Sequence, residues 1–179
     1  MASAPTTPPQ GLPQAIVLMG VCGSGKTVVG EALAPKLGYA FRDGDGFHPE
    51  ANVRKMAAGT PLTDEDRWPW LDSIGHALRD FRGGGIIVAC SALKKAYRQR
   101  IAAAAGRPVA FIHLDGAYAT LKERMQTRRG HFMPVSLLDS QIAILEPPDA
   151  SENAIRVSVD QPLDKVVDAA IAGLGTLVR

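Results

Sequence analysis

Gly20-Val21-Cys22-Gly23-Ser24-Gly25-Lys26-Thr27 decides the fold of this chain, because the apolar run Ala15-Ile16-Val17-Leu18-Met19 precedes it and an apolar-periodic segment, Val28 to Leu37, follows it. That order reads strand, glycine-rich loop, helix. The pattern GxxxxGK[ST] needs its glycines because successive backbone N–H groups must turn inward around phosphate oxygens, leaving no room for side chains. Gly20, Gly23, Ser24 and Gly25 would line such a cradle. Lys26 would reach the outer phosphates of a nucleoside triphosphate, and Thr27, opening the helix, would place a hydroxyl on Mg²⁺. The competing reading is a glycine-rich turn that merely ends a strand, and the strand and helix on either side speak against it.

The 179 residues suit one domain with a single sizeable core. With 46% hydrophobic and 21% charged residues the chain is of ordinary globular composition. A net charge of +2, with no basic run interleaved with aromatics, gives no reason to expect nucleic acid. Cys22 and Cys90 lie in different elements and match no zinc spacing, so a reduced, cytoplasmic setting is the economical expectation. No apolar stretch approaches the roughly 20 residues needed to cross a bilayer. Residues 1–14 read as a flexible extension without a basic or an apolar signal region, and residues 15–179 as a single domain.

Tyr39 to Asp43 predicts a second strand that delivers Asp43-Gly44-Asp45 to its carboxyl end, the edge of a parallel sheet where ligands bind. From His48 to Arg82 the texture turns polar and helix-forming, broken at Gly59-Thr60-Pro61 and Trp68-Pro69, which predicts an inserted helical flap. Within it, Thr63 and Asp66 have the spacing of a helix start, and Leu71, Ile74, Leu78 and Phe81 form an apolar stripe. Gly85 to Cys90, Val109 to Leu114 and Ala154 to Val159 predict three further strands, each followed by a helix. Strands alternating with helices predict a doubly wound, five-stranded parallel α/β sheet. His113 lies inside an apolar run and reads as structural. Arg128 to Pro134 interrupts the helices that flank it and predicts a lid, with Gly130 at its centre.

Phosphoryl transfer needs a carboxylate near Mg²⁺ and often a second that orients the attacking hydroxyl. Asp43 and Asp45 are candidates for both, since Val88-Ala89-Cys90-Ser91 offers no acid after the third strand. Lys94, Tyr97 and Arg98 share a helical spacing behind Ser91-Ala92-Leu93 and suggest an anionic substrate, against the plainer reading of a solvated face. Arg124 and Arg128, one turn apart, suit stacking on adenine and clamping the transferring group.

On these residues the chain resembles the gluconokinases, small phosphate-loop kinases related to shikimate and adenylate kinases. The resemblance rests on Gly20 to Thr27, Asp43-Gly44-Asp45 with His48-Pro49, Lys55-Met56, and Gly59-Thr60-Pro61-Leu62. It continues through Asp64, Asp66-Arg67, Pro69-Trp70-Leu71, Cys90-Ser91-Ala92-Leu93-Lys94, Tyr97-Arg98, Arg128 with Gly130-His131-Phe132, Gln141, Leu145-Glu146 and Asp160-Gln161-Pro162. It implies a strand order 2-3-1-4-5 and ATP-dependent, Mg²⁺-requiring phosphorylation of D-gluconate to 6-phosphogluconate by a homodimer. Lys26 and Arg128 would stabilise the transferring group, Thr27 and Asp43 would hold Mg²⁺, and Asp45 would position the hydroxyl. Lys94, Arg98, Arg54 and Arg67 are the candidates for the gluconate carboxylate, and His48, Ser91, His131 and Gln141 join them as substrate residues. Cys22 stands where the family often has serine, which predicts sensitivity to thiol reagents. The rivals are a shikimate or nucleoside monophosphate kinase of the same fold, a nucleotide switch, and a structural protein with an inactive loop.

Overall fold

The computed structural model describes residues 9–127 and 134–179. Five parallel strands, β1 (Ala15–Met19), β2 (Ala40–Asp43), β3 (Ile86–Ala89), β4 (Ala110–Asp115) and β5 (Ala154–Ser158), form one sheet in the order β2-β3-β1-β4-β5. The order implied by the resemblance is the one observed. β1 is central, with Val17 opposite Val88 of β3 on one side and Phe111 of β4 on the other. All five of its residues are buried, as a strand covered on both faces requires.

Its alternation sorts the core into two halves. Ile16 and Leu18 face α1 (Lys26–Leu37) and α7 (Leu163–Leu174), meeting Val29, Leu33, Leu37, Val166 and Leu174. Ala15, Val17 and Met19 face α3 (Asp64–Asp80) and α4 (Lys95–Ala105), meeting Leu71, Ile74, Leu78, Tyr97 and Ile101. Full burial of each large side chain stabilises by about 1.5–3 kcal/mol, so both helical layers are held chiefly by apolar contact. The remaining helices are α2 (Glu50–Ala57), α5 (Tyr118–Thr127) and α6 (Val135–Ile144). None of the described helices is long and apolar enough to cross a membrane.

Three expectations are corrected. The stretch from His48 to Arg82 is not one flap: α3 is a layer helix, because its stripe of Trp70, Leu71, Ile74 and Leu78 is buried against the sheet. Its start is a capping box, Thr63 Oγ1 accepting from Asp66 N–H while Asp66 accepts from Thr63 N–H. Pro69 does not break it; the helix forgoes one backbone bond there and keeps the burial of Trp70 and Leu71. Gly75 allows α3 to cross α4 closely, since a Cβ there would come within 2.6 Å of the Ile101 carbonyl. Lastly, the segment before β1 is not free throughout: Leu12 packs on the core, Pro13 is buried, and the Gln14 carbonyl accepts from Ile86 N–H.

Candidate active site

The carboxyl ends of β1, β2 and β3 supply three loops, and the first is the glycine-rich one. Gly23 and Gly25 have φ of 81° and 85°, a left-handed conformation that turns their N–H groups toward the loop interior. A Cβ on Gly23 would strike the Leu121 carbonyl of α5 at 2.7 Å, so the loop is seated against that helix by glycine alone. Gly20 N–H donates to the Ser91 carbonyl, which ties the loop to the turn after β3. Lys26 folds back over its own loop, donating from Nζ to the Gly20 and Val21 carbonyls at 3.0 and 3.2 Å. Burial pulls the Lys26 ammonium below its ordinary range. An anion entering the cradle would restore its charge balance.

Asp43 ends β2 and caps the short 3₁₀ turn Gly44–Phe47, its Oδ1 accepting from Asp45 N–H at 2.9 Å. Its other oxygen lies 3.5 Å from Thr27 Oγ1, at the outer limit of a hydrogen bond. Two hard oxygen donors thus converge beside the phosphate cradle. Gly44 is buried where a Cβ would come 2.3 Å from the Ala89 carbonyl, and its own carbonyl accepts from Trp70 Nε1 at 2.8 Å. That clamp leaves Asp45 exposed on the turn.

Trp70 also carries His48, the rings stacked with centroids 4.1 Å apart. Beyond them lies a cluster of charge. Asp64 accepts from Tyr97 Oη at 2.5 Å and from Lys94 Nζ at 3.1 Å, and Arg67 Nη1 lies 3.5 Å from the same carboxylate and 3.2 Å from Tyr97 Oη. The hydrogen bond from Tyr97, then Lys94, holds the Asp64 carboxyl below its usual range. Two cations against one acid leave a single positive charge. Lys94 precedes α4 in extended conformation, so it reaches this cluster from the turn bonded to the glycine-rich loop.

On the other side of the loop a recess of about 240 Å³ is lined by Gly25, Val28, Arg124, Val159, Gln161 and Leu163. Arg124 is fixed there by donation from Nη2 to the Val159 carbonyl at 2.7 Å. Apolar walls and a guanidinium suit a planar base.

An AAA domain family model matches residues 16–136. The gluconokinase of Gluconobacter oxydans is 47% identical over 161 residues, which cover 89% of this chain and 90% of that protein. The chain belongs to the gluconokinase family. The thermosensitive gluconokinase of Escherichia coli is 46% identical over 87% of this chain and 84% of its own length. A crystal structure of a Sinorhizobium meliloti gluconokinase superposes with a TM-score of 0.83 at 48% identity, covering 93% of this chain and 94% of that one. An Aquifex aeolicus shikimate kinase, 16% identical with a TM-score of 0.56, shares the fold.

Within this gluconokinase-family site the sequence-derived residues fare differently. Lys26, Thr27, Asp43, Asp45 and His48 come together, and Lys94 and Arg67 meet at Asp64. Arg98 does not join them. It is 2% exposed, pairs with Glu152 at 2.6 Å, and donates to the carbonyls of Ala92, Leu93 and Glu146, so none of its donors is left for a substrate. Helical spacing from Lys94 misled, because the helix begins at Lys95 and its turn carries position 98 into the core. Arg54 is a solvated side chain paired with Glu50 one turn away. Gln141 serves the loop, its Oε1 accepting from Cys22 N–H at 2.7 Å. Ser91 gives its carbonyl to Gly20, and the next residue, Ala92, is held at φ 45°, a strained conformation for a residue with a Cβ. Arg128 and His131, with the rest of 128–133, lie outside the described residues. Burial pushes the Cys22 thiol up and Cys90 up to about 12, which opposes the expected thiol reactivity. His113 is buried on β4, in keeping with a structural role.

The sequence reading gave no role to Asp64, Trp70, Asn52, Val159 or Gln161. Asp64 and Trp70 sit in quoted motifs whose chemistry appears only when α3 brings Asp64 beside the turn after β3 and Trp70 beside the turn after β2. Gln161 had a usable signal, its place just beyond the fifth strand, whereas Val159 was read as the end of that strand, which stops at Ser158.

Proposed function

We propose that the protein transfers the γ-phosphoryl group of ATP to the C6 hydroxyl of D-gluconate, giving 6-phosphogluconate. The observation that carries this reading is the single net positive charge of Lys94, Arg67 and Asp64, placed on elements that flank the phosphate cradle. A substrate with one terminal carboxylate matches it. A charge-assisted bond to that carboxylate would fix which hydroxyl meets the phosphoryl group.

Lys26 would exchange the Gly20 and Val21 carbonyls for oxygens of the transferring group and neutralise charge there, the entering anion offsetting the burial that disfavours its ammonium. Thr27 Oγ1 and Asp43 Oδ2 suit Mg²⁺, which takes few protein oxygens beside its phosphates and waters. Mg²⁺ bound there would supply charge neutralisation. With Asp43 committed to Thr27 and to the 3₁₀ turn, Asp45 is the carboxylate free to orient and deprotonate the C6 hydroxyl. Arg124 would stack on adenine in the recess beside Val28, with Arg128 acting on the phosphates.

A coupled ADP-release assay over gluconate, shikimate, a nucleoside monophosphate and sorbitol tests the assignment. Turnover with gluconate far above the other three is expected; a preference for shikimate or the nucleotide would refute it. We further infer a homodimer in the reducing cytoplasm, which the resemblance implies and the free thiols of Cys22 and Cys90 suit. Sedimentation at equilibrium reads the oligomeric state directly.

A further inference from the structure

α2 buries one polar side chain, Asn52, which is 4% exposed. Its Nδ2 donates to the Asp66 backbone carbonyl at 2.8 Å and lies 3.2 Å from His48 Nδ1. A backbone carbonyl has no proton to give, so the Asp66 oxygen fixes which end of the Asn52 amide faces it. The amide nitrogen has one hydrogen left, and it points at His48. A ring nitrogen that accepts a hydrogen bond carries no proton, so His48 is held neutral with its proton on Nε2.

The ring has little freedom to evade this arrangement. It lies nearly parallel to Trp70, at 13°, and Trp70 is itself tied to the Gly44 carbonyl of the Asp43-Gly44-Asp45 turn. The charged groups acting on His48 are Asp45 from that turn and Arg67 from α3; behind Asn52, Lys55 is paired to the Asp66 carboxylate. His48 Nε2, on the ring edge away from Asn52, makes no hydrogen bond to another described residue.

We propose that Asn52 is a positioning residue that locks His48 as a hydrogen-bond donor, so that Nε2–H holds a hydroxyl oxygen of the polyol between the acid-binding cluster and the reacting end. This rests on the gluconate reading of the site. It assigns His48 to specificity and leaves proton abstraction to Asp45. It also explains why a polar side chain is buried in a helix whose other residues are mostly exposed. Its removal would take a donor from the Asp66 carbonyl and free the imidazole to exchange tautomers.

Long-range proton–nitrogen correlation spectra of the ligand-free protein at pH 7.5 read the tautomer without any turnover. A protonated Nε2 and a bare Nδ1 are expected for His48, and Asn52→Leu should mix the two forms and raise the His48 pKa. A protonated Nδ1 in the wild type, or a spectrum unmoved by Asn52→Leu, would overturn the lock. In kinetics, His48→Phe keeps a ring on Trp70 without the donor and should raise KM for gluconate about threefold to tenfold, with KM for ATP within twofold. His48→Gln, whose amide nitrogen reaches near the Nε2 position, should restore most of that loss, and His48→Asn, which reaches only near Nδ1, should not. Equal behaviour of the Gln and Asn variants would refute the donor role, and this comparison stands even if Asn52→Leu fails to fold. A wild-type protein inactive on gluconate would refute the functional reading, while the spectra would still decide the lock.

Discussion

Replacing Arg98 by methionine separates stability from substrate binding. The guanidinium is 2% exposed, and its partner Glu152 has a side chain 11% exposed. Methionine fills much of the same volume, so the main loss is electrostatic. It leaves the Glu152 carboxylate without its cation and withdraws donors from the Ala92, Leu93 and Glu146 carbonyls. Breaking one side of such a buried pair costs about 3–5 kcal/mol, a large share of the 5–15 kcal/mol typical of a folded domain. For a chain of this size that corresponds to a fall in Tm of about 6–20 °C. Adding Glu152→Met should recover more than about 1 kcal/mol by removing the stranded charge, though not all, because the Ala92 and Glu146 carbonyls lose the Arg98 donors while Leu93 keeps the Glu146 N–H. Thermal unfolding followed by circular dichroism measures each variant, with the coupled assay below the lowest Tm alongside. A Tm within about 2 °C of wild type, together with a raised KM for gluconate, would refute the buried-pair argument and return Arg98 to the substrate.

Lys94→Ala and Arg67→Ala should each raise KM for gluconate by about tenfold or more, as for a charge-assisted hydrogen bond, and each should narrow the preference for gluconate over sorbitol. Lys26→Met should lower kcat by about a thousandfold in a protein that unfolds normally, and near-normal turnover would remove it from the phosphates. Asp43→Asn should shift the Mg²⁺ dependence while Asp45→Asn mainly lowers kcat; Mg²⁺ titrations of both would expose reversed roles. Burial holds the His48 and His113 imidazoles below the ordinary 6.5. Below that pH the unfolded chain binds protons that the folded one does not, so stability should fall as pH drops through about 6.5 toward the folded pKa values. Tm should therefore be lower at pH 5.5 than at 7.5, and His113→Gln should reduce the slope.

The fold was legible because its signals are local. A five-residue apolar run, a glycine loop and a helix repeat the same βα grammar, and Gly38, Thr63 and Asp66 mark helix ends where the structure has them. Strand order was not legible from periodicity, since nothing local to β3 says that it pairs with β1 and β2; it came from resemblance. In the site, residues that act through their own loop, Lys26 and Asp43, could be read in isolation. Those that act through a partner distant in sequence could not. Arg98 and Lys94 look alike as letters, and only the α4 start at Lys95 and the acid at Glu152 tell a buried strut from an exposed cation. Asn52 stands four residues after His48, but the carbonyl that orients its amide is fourteen residues away and leaves no local signal.

α6 is fastened at two points. Gln141 takes the Cys22 N–H of the phosphate loop, while just past the helix Glu146 donates its N–H to the Leu93 carbonyl and accepts the Lys95 N–H. The loop that would hold the donor and the turn that presents Lys94 are thus gauged against each other by the chain from Gln141 to Glu146, helical as far as Ile144 and extended at Leu145. One residue inserted between Gln141 and Ile144 would rotate Gln141 by about 100° relative to Glu146 and unhook one of the two. Side chains on the outside of α6 are free to drift, but the count between its two fastenings is not: the segment works as a gauge block whose length matters more than its composition.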